Sequence, residues 1–172
     1  MHNDIILGID PGSNITGYGV VELKDRTFFP IDYGIIDTSR EDSRSKSLEL
    51  IFKNLSLVLE TFEPKVLSLE KVFYYKNVKS SIVLGEVRGV ILLLAGLYNL
   101  EVMEFPSTQV KSSLTGYGRA DKAQVRFMVK KLLSIQEDVP TDASDALALC
   151  LCAGLEILGK RCFPILKARY QE

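Results

Sequence analysis

Three apolar segments lie within residues 5–37, and the connections between them are too short for a crossover. Residues 5–9 run into Asp10-Pro11-Gly12, residues 16–23 run into Lys24-Asp25, and residues 27–37 complete the set. Connections of a few residues built from Asp, Gly and Pro join strands only antiparallel, so the chain should open with a three-stranded meander. The hydrophobic period changes after Ser43. Leu48, Ile51, Phe52, Leu55, Val58, Leu59 and Phe62 follow helical spacing as far as the stop at Pro64. Residues 66–69, leading into Glu70, read as a buried strand, residues 80–98 as a helix and residues 101–105 as a fifth strand before Pro106. A short helix over 107–113, a glycine-containing loop over 114–120, and helices over 121–133 and 141–158 follow. A meander succeeded by alternating helices and strands specifies an α/β fold: a mixed five-stranded sheet, its first three strands antiparallel, with helices on both faces.

At 172 residues the chain supports one filled core. Residues 1–160 are therefore expected to form a single domain, and 161–172 a short basic C-terminal tail. The second half of the 80–98 helix is apolar on every side, which in a soluble protein means burial on both flanks. Gly85, Gly89 and Gly96 are poor helix formers there and point to close backbone approach. One flank would cover the sheet, the other a second subunit. The apolar stretch 90–94 is far shorter than a membrane span, and the N-terminus has no basic signal region. The expected location is the cytoplasm, with no membrane contact.

Three cysteines and one histidine, His2, form no metal-ligand spacing, and the thiols of Cys150, Cys152 and Cys162 are expected to act as small hydrophobes. Charge is unevenly spread. Residues 1–70 hold seven Lys and Arg against twelve Asp and Glu, whereas 71–131 hold ten against four and 132–172 four against six. A basic middle between acidic ends suits one face for phosphates and another for cations, though a solvated surface would give the same count.

The chemistry lies in acids at special places. Asp10 and Glu70 each follow an apolar strand at the point where the chain leaves the core. Asp142 and Asp145 stand three apart at the start of the last helix and share a face. Singly, each has an ordinary explanation: Asp before Pro-Gly forms turns, and acids in a first helical turn, with Thr141 as N-cap, complement the helix dipole. Together, in a fold that gathers them, four carboxylates demand a hard divalent cation.

The segments 7–13 (LGIDPGS), 16–19 (TGYG), 69–73 (LEKVF), 109–111 (QVK) and 142–148 (DASDALA) closely resemble the RuvC family of crossover junction endodeoxyribonucleases, in family order and over nearly the whole chain. The resemblance implies a ribonuclease H-like homodimer that resolves four-way DNA junctions in recombination and repair, leaving 5′-phosphate and 3′-hydroxyl ends. Asp10, Glu70, Asp142 and Asp145 match its acidic tetrad, holding two Mg²⁺ per subunit, with Mn²⁺ as substitute. Lys111 and Lys122 match lysines beside the scissile phosphate, and Phe73 an aromatic inserted near the junction centre. Tyr74, Lys76 and Arg119 are further candidate DNA contacts, and RuvA–RuvB is the implied branch-migration partner. Physically, ammonium groups stabilise charge on a reacting phosphate, and rings beside lysines suit base stacking. Solvated lysines and a core aromatic are the plainer alternatives. Rival functions are a ribonuclease H-like enzyme of RNA–DNA hybrids or rRNA precursors, an actin-like nucleotide-binding module, and a non-catalytic junction-binding protein.

Overall fold

The computed structural model describes residues 4–71 and 78–162. Phe73, Tyr74 and Lys76 lie outside the described residues, as does most of the tail. Strands β1 (Asp4–Asp10), β2 (Ile15–Lys24) and β3 (Thr27–Asp37) form the expected meander. Helix α1 (Arg44–Phe62), β4 (Val66–Glu70), α2 (Val78–Leu97) and β5 (Glu101–Phe105) follow, and then α3 (Ser107–Thr115), α4 (Lys122–Leu133) and α5 (Thr141–Cys162). The sheet runs β3-β2-β1-β4-β5, with β1 parallel to β4 and β4 parallel to β5.

Local chemistry sets the boundaries. Ser43 caps α1 by accepting the Lys46 N–H, and Glu63, in the left-handed region, ends it one residue ahead of Pro64. Asp121 and Gln124 form a capping box at the start of α4. The β2–β3 turn falls on Asp25 and Arg26, both at positive φ, one residue later than the expected Lys24-Asp25. Thr141 is the first residue of α5 and not its N-cap, since Ser144 N–H bonds the carbonyl of Pro140. The same helix runs on to Cys162, past its expected end at residue 158.

Strand alternation divides the core in two. Leu7, Ile9, Val20, Leu67 and Leu69 face α1 and α2, meeting Ile51, Leu55, Val87, Ile91 and Leu94. Ile6, Val21 and Val66 face the other way, against α3, α4 and α5. Helices thus cover both faces. On α2 one flank covers the sheet through Val87, Ile91 and Leu94, and the flank expected to meet a second subunit carries Ile82, Leu92, Leu93 and Leu97 exposed. Among the described residues, and apart from their own helix backbone and chain neighbours, nothing lies within 4 Å of a Cβ built on Gly85, Gly89 or Gly96, so these glycines answer to no close approach there. Ser80–Leu97 is long and apolar enough to cross a membrane by length and composition, against the expectation drawn from the apolar stretch 90–94. It nevertheless seats Val87, Ile91 and Leu94 in the core and ion-pairs both of its central charges, Glu86 and Arg88.

Candidate active site

Because side chains alternate along a strand, residues 6, 8 and 10 of β1 and residues 66, 68 and 70 of β4 point to the α5 side. The parallel register pairs Ile9 with Leu69, which sets Asp10 and Glu70 side by side one residue further on. The helix is drawn onto this spot by main-chain contact. A Cβ on Gly17 would lie 2.0 Å from the carbonyl oxygen of Asp142, and one on Gly8 would lie 2.1 Å from that of Ala146. Gly17 is the β2 partner of Asp10. The absence of side chains at Gly8 and Gly17 therefore lets the start of α5 settle beside the strand-end acid. Ser68 adds a pin, donating from its hydroxyl to the Leu149 carbonyl at 2.8 Å.

The resulting cleft, about 190 Å³, is lined by Asp10, Glu70, Lys111, Lys122 and Asp145, with Ser107 and apolar groups of α3, α4 and α5 around them. Lys122 Nζ donates to Asp145 Oδ2 at 2.9 Å, with its side chain 75% exposed. Asp142 lies off the cleft lining but within electrostatic reach of Asp10. Arg119 is exposed in the α3–α4 loop and does not line the cleft. Ser107, at the start of α3, was not singled out by the sequence; its only signal is the preceding Pro106.

The electrostatics of Asp10 reveal what the cleft lacks. Burial, then the charges of Asp145, Glu70 and Asp142, push its pKa up from 3.8 to about 7, with Lys122 opposing. The pocket therefore holds more negative charge than its one bound ammonium neutralises. An all-oxygen donor set around such an acid fits a hard divalent cation. The expected convergence is nevertheless looser than four acids around a ready cage. Among the described residues no three acidic, cysteine or histidine side chains are gathered tightly enough to hold an ion as they stand. Lys122 occupies one of the carboxylates; an arriving cation would have to close the set.

A sheet ordered β3-β2-β1-β4-β5, with acids at the ends of its central parallel strands facing a helix-borne pair, defines a nuclease of the ribonuclease H-like class. More narrowly, residues 6–153 match the RuvC family, described as Crossover junction endodeoxyribonuclease RuvC, and the chain belongs to it. Similar proteins include the RuvC of Caldicellulosiruptor saccharolyticus, 45% identical over 149 residues, covering 86% of this chain and 90% of that one. The RuvC of Petrotoga mobilis is 45% identical over 151 residues, covering 87% and 93%. Among solved structures, T. thermophilus RuvC in complex with Holliday junction substrate superposes with a TM-score of 0.84 at 29% identity, covering 91% of this chain and 96% of that one. The family is one of divalent-metal-dependent nucleases.

Proposed function

We propose that this protein is a Holliday junction resolvase that nicks opposing strands of four-way DNA symmetrically, leaving 5′-phosphate and 3′-hydroxyl ends. The observation that carries the reading is the cleft itself, where strand-end and helix acids stand with two lysines in a chain of this family. Asp10, Glu70, Asp142 and Asp145 are assigned as the ligands of two Mg²⁺ ions, for which Mn²⁺ would substitute. When bound, such ions polarise the phosphodiester and lower the pKa of an attacking water. The chain's own residues do the rest. With its pKa pushed up to about 7, Asp10 is about half-protonated at neutral pH and loses that proton as positive charge arrives. Lys111 and Lys122 face the cleft and stabilise charge growing on the phosphate, Lys122 after releasing Asp145.

Phe73 is assigned to stacking at the junction centre, and Tyr74, Lys76 and Arg119 to flanking DNA contacts. The exposed α2 stripe of Ile82, Leu92, Leu93 and Leu97, threaded by glycines with open space above them, supports a homodimer through this helix. Two acid clefts in one dimer account for paired nicks. Residues 1–160 would be the nuclease domain, working in the cytoplasm with the RuvA–RuvB branch-migration complex as partner.

The test is incubation with a synthetic four-way junction, or an RNA–DNA hybrid duplex, with and without Mg²⁺. Paired symmetric nicks on the junction that require the metal support resolution. Cleavage of the hybrid alone refutes it in favour of the other ribonuclease H-like chemistry. Because the net charge is only −1 and the basic groups are concentrated, junction affinity should fall steeply with salt; a flat response contradicts the phosphate contacts.

A further inference from the structure

Behind the acid cleft, α2 sends one arginine into the sheet. Arg88 Nη1 donates to the carbonyl of Glu70 at 3.1 Å, while Nη2 pairs with the carboxylate of Glu104 on β5. The side chain is mostly covered, at 15% exposure. The guanidinium thus bridges the ends of two neighbouring parallel strands at the residue that supplies one of the acids.

The place of this contact matters more than its strength. The direction of a side chain is set by the two peptide planes flanking its Cα. On the N-terminal side of Glu70, the β1–β4 ladder holds the strand through the Ile9–Leu69 pair. On the C-terminal side, Lys71 N–H bonds the Phe105 carbonyl at 2.8 Å, and Arg88 takes the Glu70 carbonyl of the same peptide. With both planes pinned, the Cα–Cβ bond of Glu70 has one direction, toward α5 and Asp10. A planar guanidinium can hold a carbonyl and a carboxylate together through separate nitrogens, whereas an ammonium has no such fork.

We propose that Arg88 is a positioning residue for the metal-binding acids, locking the Glu70 backbone to Glu104 so that the Glu70 carboxylate is presented to the cation site. This rests on the resolvase reading above. It predicts that loss of the clamp acts on cation affinity and not on junction affinity, since Arg88 does not line the cleft.

The experiment compares wild type with Arg88→Met, Arg88→Lys and Glu104→Gln, at a temperature well below unfolding of each. Mn²⁺ is titrated into DNA-free protein by calorimetry, and single-turnover junction cleavage is followed against Mg²⁺ concentration. Arg88→Met is expected to weaken Mn²⁺ binding and raise the Mg²⁺ half-saturation about tenfold or more, as losing an outer partner of a metal ligand does. Junction affinity in the absence of divalent metal should not change, and Arg88→Lys and Glu104→Gln should fall between. Wild-type Mn²⁺ affinity in folded Arg88→Met overturns the proposal. If that variant does not fold, wild-type Mn²⁺ affinity in both milder variants overturns it instead. Failure of the wild type to cut the junction with Mg²⁺ would refute the functional reading, and the Mn²⁺ titrations would still judge Arg88.

Discussion

Replacing Asp10 with Asn removes the acid whose ionisation the cleft opposes most. In the folded, metal-free protein its pKa rises from 3.8 to about 7, so the folded state binds a proton that the unfolded chain has already released. An acid raised on folding destabilises the native state as pH climbs through the interval between the two values, and the full penalty is present above the higher one. At about 1.36 kcal/mol per pH unit the penalty reaches about 4 kcal/mol near pH 8 and only about 1.5 kcal/mol near pH 5. Water at the open side of the cleft screens part of it, leaving about 2–4 kcal/mol at the alkaline end. Asp10→Asn should therefore melt about 5–15 °C above wild type near pH 8 for a chain of this size, with the gap narrowing near pH 5. Calorimetric melting in chelator at both pH values measures this. Adding Mg²⁺ should raise the wild-type midpoint and leave the variant's nearly unmoved, because only the wild type gains a ligand whose charge relieves the repulsion. A variant no more stable than wild type near pH 8, or stabilised equally at both pH values, would refute the reasoning.

Gly17→Ala forces a methyl against the Asp142 carbonyl, where the built Cβ lies 2.0 Å away. It should cost about 1–3 kcal/mol in urea unfolding and, by lifting the start of α5, lower cleavage more than junction binding. Lys122→Met removes the ammonium that opposes the rise in the Asp10 pKa. The acidic limb of the pH–rate profile should move to higher pH, and the rate at saturating Mg²⁺ should fall about a hundredfold. Leu93→Glu places a charge on the exposed α2 stripe, where Leu93 is 56% exposed. Sedimentation at micromolar concentration should show monomer where wild type shows dimer, with the far-UV spectrum unchanged and the melting midpoint no longer dependent on protein concentration.

Much of this architecture was legible because two periodicities report directly on burial. The change from alternation to helical spacing after Ser43 separates meander from crossover, and every strand and helix of the described chain falls within a few residues of its expected span. The acids at 10 and 70 were legible for the same reason: an apolar run that ends on a carboxylate marks the point where a strand meets solvent. What stayed hidden depends on neighbours distant in sequence. The Lys122–Asp145 pair joins two helices, and the Arg88 bridge joins a helix to two strands; neither has a spacing that a linear reading can find. The glycines of α2 and those of β1 and β2 look alike on paper. Only the fold tells that Gly8 and Gly17 lie beneath another backbone while Gly85 and Gly89 face open space.

The seating of α5 on bare strand has a wider consequence. Where side chains separate two elements, their spacing drifts as the side chains are exchanged, and a site strung between the elements drifts with them. Here the acids of α5 are spaced from Asp10 by main-chain atoms in van der Waals contact, which no exchange of neighbouring core residues alters. The hydrophobic interior on the α1 and α2 side of the sheet can therefore vary through conservative substitutions at positions such as Val20 or Leu55 while the cleft keeps its dimensions. The chemistry is insulated from the core that supports it.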